Sequence, residues 1–279
     1  MHVHNGPSNA KRKYDTGEFC LEADKAGYKA FITKDHYFPS MMTAMQTNRL
    51  LAGKVKTKAY GSLILNNSVG GINVKAIDAA CAMDAKYLSL PTISAANHIE
   101  FYKGKAFPGE ANMAVNEKPI DFLDKQGALI PEIEDVLQYL SKVENAPVLA
   151  TGHGSREEQD AVIHRAAELN VKVLVNHPYY GFDCRLDDIE RWTTKFGAFI
   201  ELTAVVFLPH DKFHAFLGGI IERVPLEKLV MDSDMGQANI ESPIEGIYKF
   251  IQLLMEKYGL SEADINKIGK ENPARLMNI

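Results

Sequence analysis

The chain opens with Met1-His2-Val3-His4, a short run with an apolar β-branched residue between two histidines. Alternate residues of a strand project to one face, so a strand over residues 1–4 presents His2 and His4 together. Working outward from it, seven further apolar, β-branched runs recur at residues 30–34, 59–66, 87–90, 148–151, 172–176, 198–203 and 229–232. Runs so uniformly apolar suit parallel strands buried on both faces, and the amphipathic stretches between them supply the crossovers that parallel pairing needs. Strand and helix alternating in this way predict an α/β chain closed into a (β/α)₈ TIM barrel, regular or distorted.

Helix signals fall where this plan needs them. Ser155-Arg156-Glu157-Glu158 is a capping box that opens a helix to about Leu169, and Ser242-Pro243-Ile244-Glu245 is another with proline at the first helical position. Gly259 marks the end of the second, and Ser261 starts a last short helix leading into Asn272-Pro273-Ala274-Arg275. No Ser/Gly-rich linker interrupts the pattern, so residues 1–279 are expected to form one domain. Residues 92–129 break the rhythm: they far exceed the usual ~2–6 residues of a βα connection. A loop of that length on the C-terminal face of a barrel is expected to cover an active site. The first strand, with only Met1 ahead of His2, is short for its task and leaves room for residues before it in the natural protein.

Bulk properties exclude several function classes. The 279 residues are 46% hydrophobic and 24% charged, an ordinary balance for a globular chain with a large core. The formal charge of −5 is dispersed, with no basic stripe for a nucleic acid. No apolar run reaches the ~18 residues of a membrane span, and the polar start is unlike a secretory signal. Cys20, Cys81 and Cys184 have no CxxC spacing, so they read as reduced thiols. The expected setting is cytoplasmic, with a small-molecule substrate; a homo-oligomer is compatible with the sequence.

The informative fact is where histidines and acids fall relative to the strands. Asp35 and His36 follow the second, His153 the fifth and His177 the sixth, Glu201 lies in the seventh, and Asp232 and Asp234 close the eighth. One strand-end histidine is usually structural, but parallel strands bring all these ends to one mouth, where barrel sites are built. His2, His4, His36, His153, His177, Glu201 and Asp232 are therefore candidate ligands for one to three divalent ions, zinc first, with manganese or iron as alternatives.

The His-Val-His opening, the later His153 and His177, Asp232 on the last strand and the closing Asn-Pro-Ala-Arg resemble the amidohydrolase superfamily of metal-dependent hydrolases. That resemblance implies His2, His4, His153, His177 and Asp232 as metal ligands. The bridging lysine or glutamate expected on the fourth strand is not evident in Tyr87-Leu88-Ser89-Leu90-Pro91; Lys34, Asp35 and His98 are the candidates to replace it. Thr33-Lys34-Asp35-His36, Asn176-His177-Pro178 and Ile200-Glu201 are also similar to motifs of the polymerase-and-histidinol-phosphatase family, which implies a phosphoesterase. That family's final Asp-x-His is replaced by Asp232-Ser233-Asp234.

A divalent metal would lower the pKa of water to about 7 and polarise a substrate oxygen. Asp232 is the expected acid and base, Lys34 the electrophile or bridge, and His98 an acid or ligand from the long loop. Near the expected mouth only Lys34, Arg156, Lys103 and Lys105 offer positive charge, which favours an amide, ester or lactone over a phosphoester. A metal-dependent binding protein without turnover is a further reading. His210 and His214, four apart, would share a helix face but lack the glutamate of a zinc-protease motif and read as surface residues. His164 reads as structural. Tyr179, Tyr180 and Phe182 are candidates for a substrate pocket, and Phe107-Pro108-Gly109 suggests turns.

Overall fold

The computed structural model describes residues 1–107, 109, 111, 113–179, 181 and 183–279. Among them the apolar runs form strands β1 (His2–Val3), β2 (Ala30–Thr33), β3 (Lys58–Tyr60), β4 (Ser62–Ile64), β5 (Tyr87–Ser89), β6 (Val148–Ala150), β7 (Val173–Val175), β8 (Phe199–Thr203) and β9 (Leu229–Asp232). All pairings are parallel, and the strands lie in sequence order in two sheets, one of three strands (β1 to β3) and one of six (β4 to β9). The expected parallel α/β order is present. The single closed ladder of eight strands is not what the hydrogen bonds describe.

The departure has a local cause at Gly61. Residues 59–66 read as one strand, but β3 pairs with β2 whereas β4 pairs with β5. A Cβ at Gly61 would stand 2.3 Å from Met41 Cα, so a neighbouring helix start presses directly on the chain there. Ser40, just ahead of that helix, donates its N–H to the Ser62 carbonyl (3.0 Å) and accepts the Ser62 N–H on its hydroxyl (2.8 Å). Ser62 thus bonds to the turn after β2 instead of extending the ladder with β2. At the opposite edges, β1 and the end of β9 meet through the His4 N–H on the Met235 carbonyl (2.8 Å) and the His2 N–H on the Asp232 carboxylate (2.9 Å). Ile32, Ile64, Val148, Leu174 and Val230 nevertheless belong to one buried apolar cluster, so strands of both sheets share an interior.

The intervening helices are α1 (Thr16–Lys25), α2 (Met41–Leu50), α3 (Val74–Ala82), α4 (Ala96–Phe101), α5 (Pro131–Leu140), α6 (Arg156–Glu168), α7 (Leu186–Thr194), α8 (Ala204–Phe207), α9 (His214–Arg223), α10 (Pro243–Tyr258), α11 (Glu262–Asn266) and α12 (Asn272–Met277). The Ser155 and Ser242 capping boxes open α6 and α10 as expected, and Gly259 ends α10 in the left-handed conformation at φ 72°. Among the described residues no helix is long and apolar enough to cross a membrane. Residues 92–129 are not structureless: α4 lies among them, and the segment is tied down where Ala96 N–H donates to the Ile120 carbonyl (2.9 Å) and Phe122 N–H donates to the Glu158 carboxylate (2.6 Å). His210 and His214 do not share a helix, because a short 3₁₀ turn over Asp211–Phe213 separates them.

Candidate metal centre

Because the strands are parallel, their C-terminal ends deliver side chains to the same side. His2 lies at the junction. Its Nδ1 is 2.6 Å from Asp232 Oδ2 and 3.1 Å from Glu201 Oε1, while its Nε2 is 2.8 Å from Asp234 Oδ1. The same Asp234 oxygen is 3.0 Å from His4 Nε2, and Asp234 Oδ2 is 3.7 Å from His177 Nε2. Lys34, only 1% exposed, brings its ammonium to 3.2 Å from His2 Nε2 and 3.8 Å from Asp234.

Among the described residues two sets of three possible ligand atoms emerge, each within 4.8 Å of one another: His2, His4 and Asp234, and His2, Glu201 and Asp232. Of the five residues in these sets, His4 and Asp234 of the first line the cavity, beside Lys34 and His177. Asp232 is fully buried behind His2, where Oδ1 accepts the backbone N–H groups of His2 (2.9 Å) and Ser233 (2.6 Å). A carboxylate so supplied with donors holds the His2 ring in place. Asp232 and Asp234 both close the last strand in sequence, where Asp232 is the expected ligand; the turn after β9 places Asp234 on the cavity wall.

The remaining candidates divide. His36, His98 and His153 form a second histidine group on the same cavity. His98 Nδ1 and His153 Nδ1 are 2.8 Å apart, and His36 Nδ1 is 2.9 Å from Thr92 Oγ1. The groups adjoin: the rings of His4 and His36 stack at 4.8 Å, and His153 meets His177 edge-on at 5.2 Å. Of the three bridging candidates, Lys34 is in the cluster, His98 is paired with His153, and Asp35 Oδ1 caps the turn by accepting the Tyr37 (2.8 Å) and Phe38 (3.1 Å) N–H groups. His164 is exposed on α6, whereas His210 lines the cavity. Phe101, Tyr102 and Phe107 from residues 92–129 supply the aromatic wall. Tyr179 does not: its hydroxyl is buried against Thr203, accepting that residue's N–H at 2.9 Å. Tyr180, Phe182 and Pro108 lie outside the described residues. Arg12 and Gln237, beside the cluster, carry no motif that marks them in sequence.

Electrostatics sorts the groups by charge. Burial presses the imidazoles of His4 down to about 3 and of His98 and His177 to about 4, and holds those of His36 and His153 well below 6.5. Burial also opposes charge on His2, but the Asp232, Glu201 and Asp234 carboxylates outweigh it and raise its pKa well above 6.5. Burial raises Glu201, whereas Lys34 and His2 overcome burial to keep Asp234 ionised far below the usual carboxylate range. Neutral imidazoles facing an ionised carboxylate are the donor set of a divalent transition metal. Among the described residues His4 Nδ1 is buried without a hydrogen-bond partner, so it leaves capacity that an ion in the cluster would organise. The residues fit such an ion.

The model of a family of unknown function, DUF6282, matches residues 1–201. The chain belongs to DUF6282. The matched segment of this DUF6282 chain contains His2, His4, Lys34, His153, His177 and Glu201, and stops short of Asp232 and Asp234. No curated protein matches the sequence. Among solved structures, a protein of Acinetobacter baumannii named as a probable 2-pyrone-4,6-dicarboxylic acid hydrolase is similar in fold, with a TM-score of 0.61 at 11% identity, covering 100% of this chain and 97% of that one. A protein of Agrobacterium tumefaciens has a TM-score of 0.59 at 11% identity over 100% of this chain and 94% of its own. The ochratoxinase of A. niger has 0.56 at 11% identity, over 99% and 70%. These likenesses establish a shared fold. The phosphoesterase side of the sequence resemblance finds no support among them.

Proposed function

We propose that this DUF6282 chain is a metal-dependent hydrolase of the amidohydrolase type that cleaves an amide, ester or lactone of a small molecule. The observation that carries the reading is the convergence of His2, His4 and His177 Nε2 atoms on one ionised carboxylate, Asp234, at the wall of an aromatic-lined cavity. One of the neighbours is named as a probable hydrolase of a small dicarboxylic acid, which supports the same class. Imidazole nitrogens with one carboxylate suit zinc first, then manganese or iron. When bound, such an ion supplies a Lewis acid for the substrate oxygen and makes water a nucleophile near neutral pH.

The chain's own residues then have distinct tasks. His2, His4, His177 and Asp234 would hold the ion, with Glu201 and Asp232 adjoining through His2. Asp232 fixes the His2 ring, and Asp234, ionised beside the cavity, is placed to take a proton. The Lys34 ammonium is placed to stabilise negative charge developing on substrate oxygen. The His98 and His153 pair, joined through their Nδ1 atoms and held neutral by burial, is placed to hydrogen-bond the substrate from the cavity wall. Lys34 is the single lysine or arginine on the cavity wall among the described residues, which favours a carbon centre over a phosphate dianion. A barrel closed by β1 and β9, a single domain over residues 1–279 and a cytoplasmic setting belong to this reading.

Elemental analysis of the purified protein, followed by chromogenic esters, lactones, amides and phosphoesters with zinc or manganese, tests it. Expected are bound metal and turnover at a carbon centre. Turnover confined to phosphoesters, or protein free of metal, would overturn it; tight metal without turnover of any compound would favour a metal-dependent binding protein.

A further inference from the structure

Arg12 lies in the segment between β1 and α1, its side chain only 2% exposed. The backbone puts it there: Lys13 N–H donates to the Gly236 carbonyl at 2.9 Å, and Arg12 pairs antiparallel with Gln237. Nε, Nη1 and Nη2 are all buried, and none has a hydrogen-bond partner among the described residues. The nearest acid is Asp35, with Oδ2 at 3.9 Å from Nη2, beyond hydrogen-bond range. Among the described residues Asp35 Oδ2 and Gln237 Oε1 are themselves without a donor, and Asn5 has neither a donor for Oδ1 nor an acceptor for Nδ2. A run of buried polar atoms is thus left open beside the metal cluster, where native interiors pair almost every such group.

Gln237 places this run beside the chemistry. It lies on the cavity wall with His4 and His36 and pairs with Arg12. A buried guanidinium with five donors unmet is costly to keep unless something supplies oxygens to it. Its fork matches a carboxylate bidentately. A phosphate dianion would call for further cations, and here the neighbouring charge is Asp35, while Lys34 is engaged with His2 and Asp234.

We propose that Arg12 anchors a carboxylate of the substrate, admitted beside Gln237, so that the bond to be cleaved lies over the His2, His4 and Asp234 cluster. The aromatic wall of Phe101, Tyr102 and Phe107 would take the apolar part of the same molecule. For the word substrate this rests on the hydrolase reading; the anion site by itself does not.

Phenylacetate and its neutral isostere phenylacetamide probe it, titrated calorimetrically into wild type, Arg12→Met and Arg12→Lys, each metal-loaded and chelator-treated, with phenyl phosphate as a third ligand. In wild type the acid should bind about tenfold or more tighter than the amide, as a charge-assisted hydrogen-bond pair predicts. Arg12→Met should bring that ratio to about one and Arg12→Lys should restore part of it. Because the methionine removes a buried charge that lacks partners, Arg12→Met without ligand should melt no lower than wild type. Equal binding of acid and amide by wild type, a ratio unchanged in Arg12→Met, or preference for phenyl phosphate over phenylacetate would each overturn the proposal. A large drop in melting temperature of Arg12→Met would do so too, since it would give Arg12 a purely structural task. Absence of metal would defeat the hydrolase reading alone, because the acid-to-amide ratio remains readable in chelator-treated protein.

Discussion

At Gly236 the backbone stands at φ 140° with its Cβ position 1.9 Å from the His4 carbonyl oxygen, so the turn carrying Asp234 lies directly against the strand end carrying His4. Only glycine allows that approach. Gly236→Ala should therefore cost about 2–3 kcal/mol in urea unfolding and weaken metal retention together, because the clash separates two groups of the proposed metal centre. The acids of this turn are expected to differ in effect. Asp234→Asn should lose bound metal on dialysis, since the carboxylate faces His2, His4 and His177. Asp232→Asn should retain it with affinity reduced about 10–100-fold, the usual effect of disturbing a group that orients a ligand. Metal content by elemental analysis after dialysis against graded chelator checks both; the reverse order of severity would return the ligand role to Asp232.

Among the elements, α6 does more than cover the sheet. Glu158, near its start, closes the capping box on the Ser155 N–H (2.7 Å) and also accepts the Phe122 N–H (2.6 Å), fastening the segment that carries His98 and the aromatic wall. Glu158→Ala leaves a buried N–H unmet and removes half of the capping box, which should cost about 1–3 kcal/mol. Hydrogen exchange should then accelerate around residues 120–124 while β6 and β7 keep their protection. Uniform acceleration across the sheet would mean that the segment and the sheet open as one unit. How far an element is legible from sequence varies for reasons visible here. The α6 and α10 boundaries depend on local caps that the sequence spells out. The break at Gly61 depends on Met41, which is distant in sequence.

For the molecule as a whole, five buried imidazoles make stability depend on pH. His4, His98 and His177 have folded pKa values near 3 to 4, and those of His36 and His153 lie well below 6.5. A depressed folded pKa contributes stability that is complete above the unfolded value of 6.5 and is lost as pH falls toward the folded value, because the unfolded chain then binds more protons. His2, whose pKa is raised, acts in the opposite sense. With five groups against one, the melting temperature of chelator-treated protein should fall between pH 7 and pH 4, as differential scanning calorimetry can follow. A flat profile would mean that these imidazoles are not neutral in the fold. At pH 7, adding zinc should raise the melting temperature and chelation should reverse it, since the ion binds the folded state.

The sequence by itself determined the parallel strand order, the capped helices α6 and α10, and the gathering of His2, His4, His153, His177 and Glu201 at strand ends, because periodicity and caps are written in consecutive residues. Tertiary structure decided the rest. Whether Asp232 or Asp234 faces the cavity depends on the turn after β9, where two acids of the same kind stand two residues apart. The split into two sheets depends on a helix start pressing on one glycine. Arg12 and Gln237 carry no motif, and their meaning comes from where residues some 225 apart along the chain are brought side by side, with no described residue hydrogen-bonded to the guanidinium.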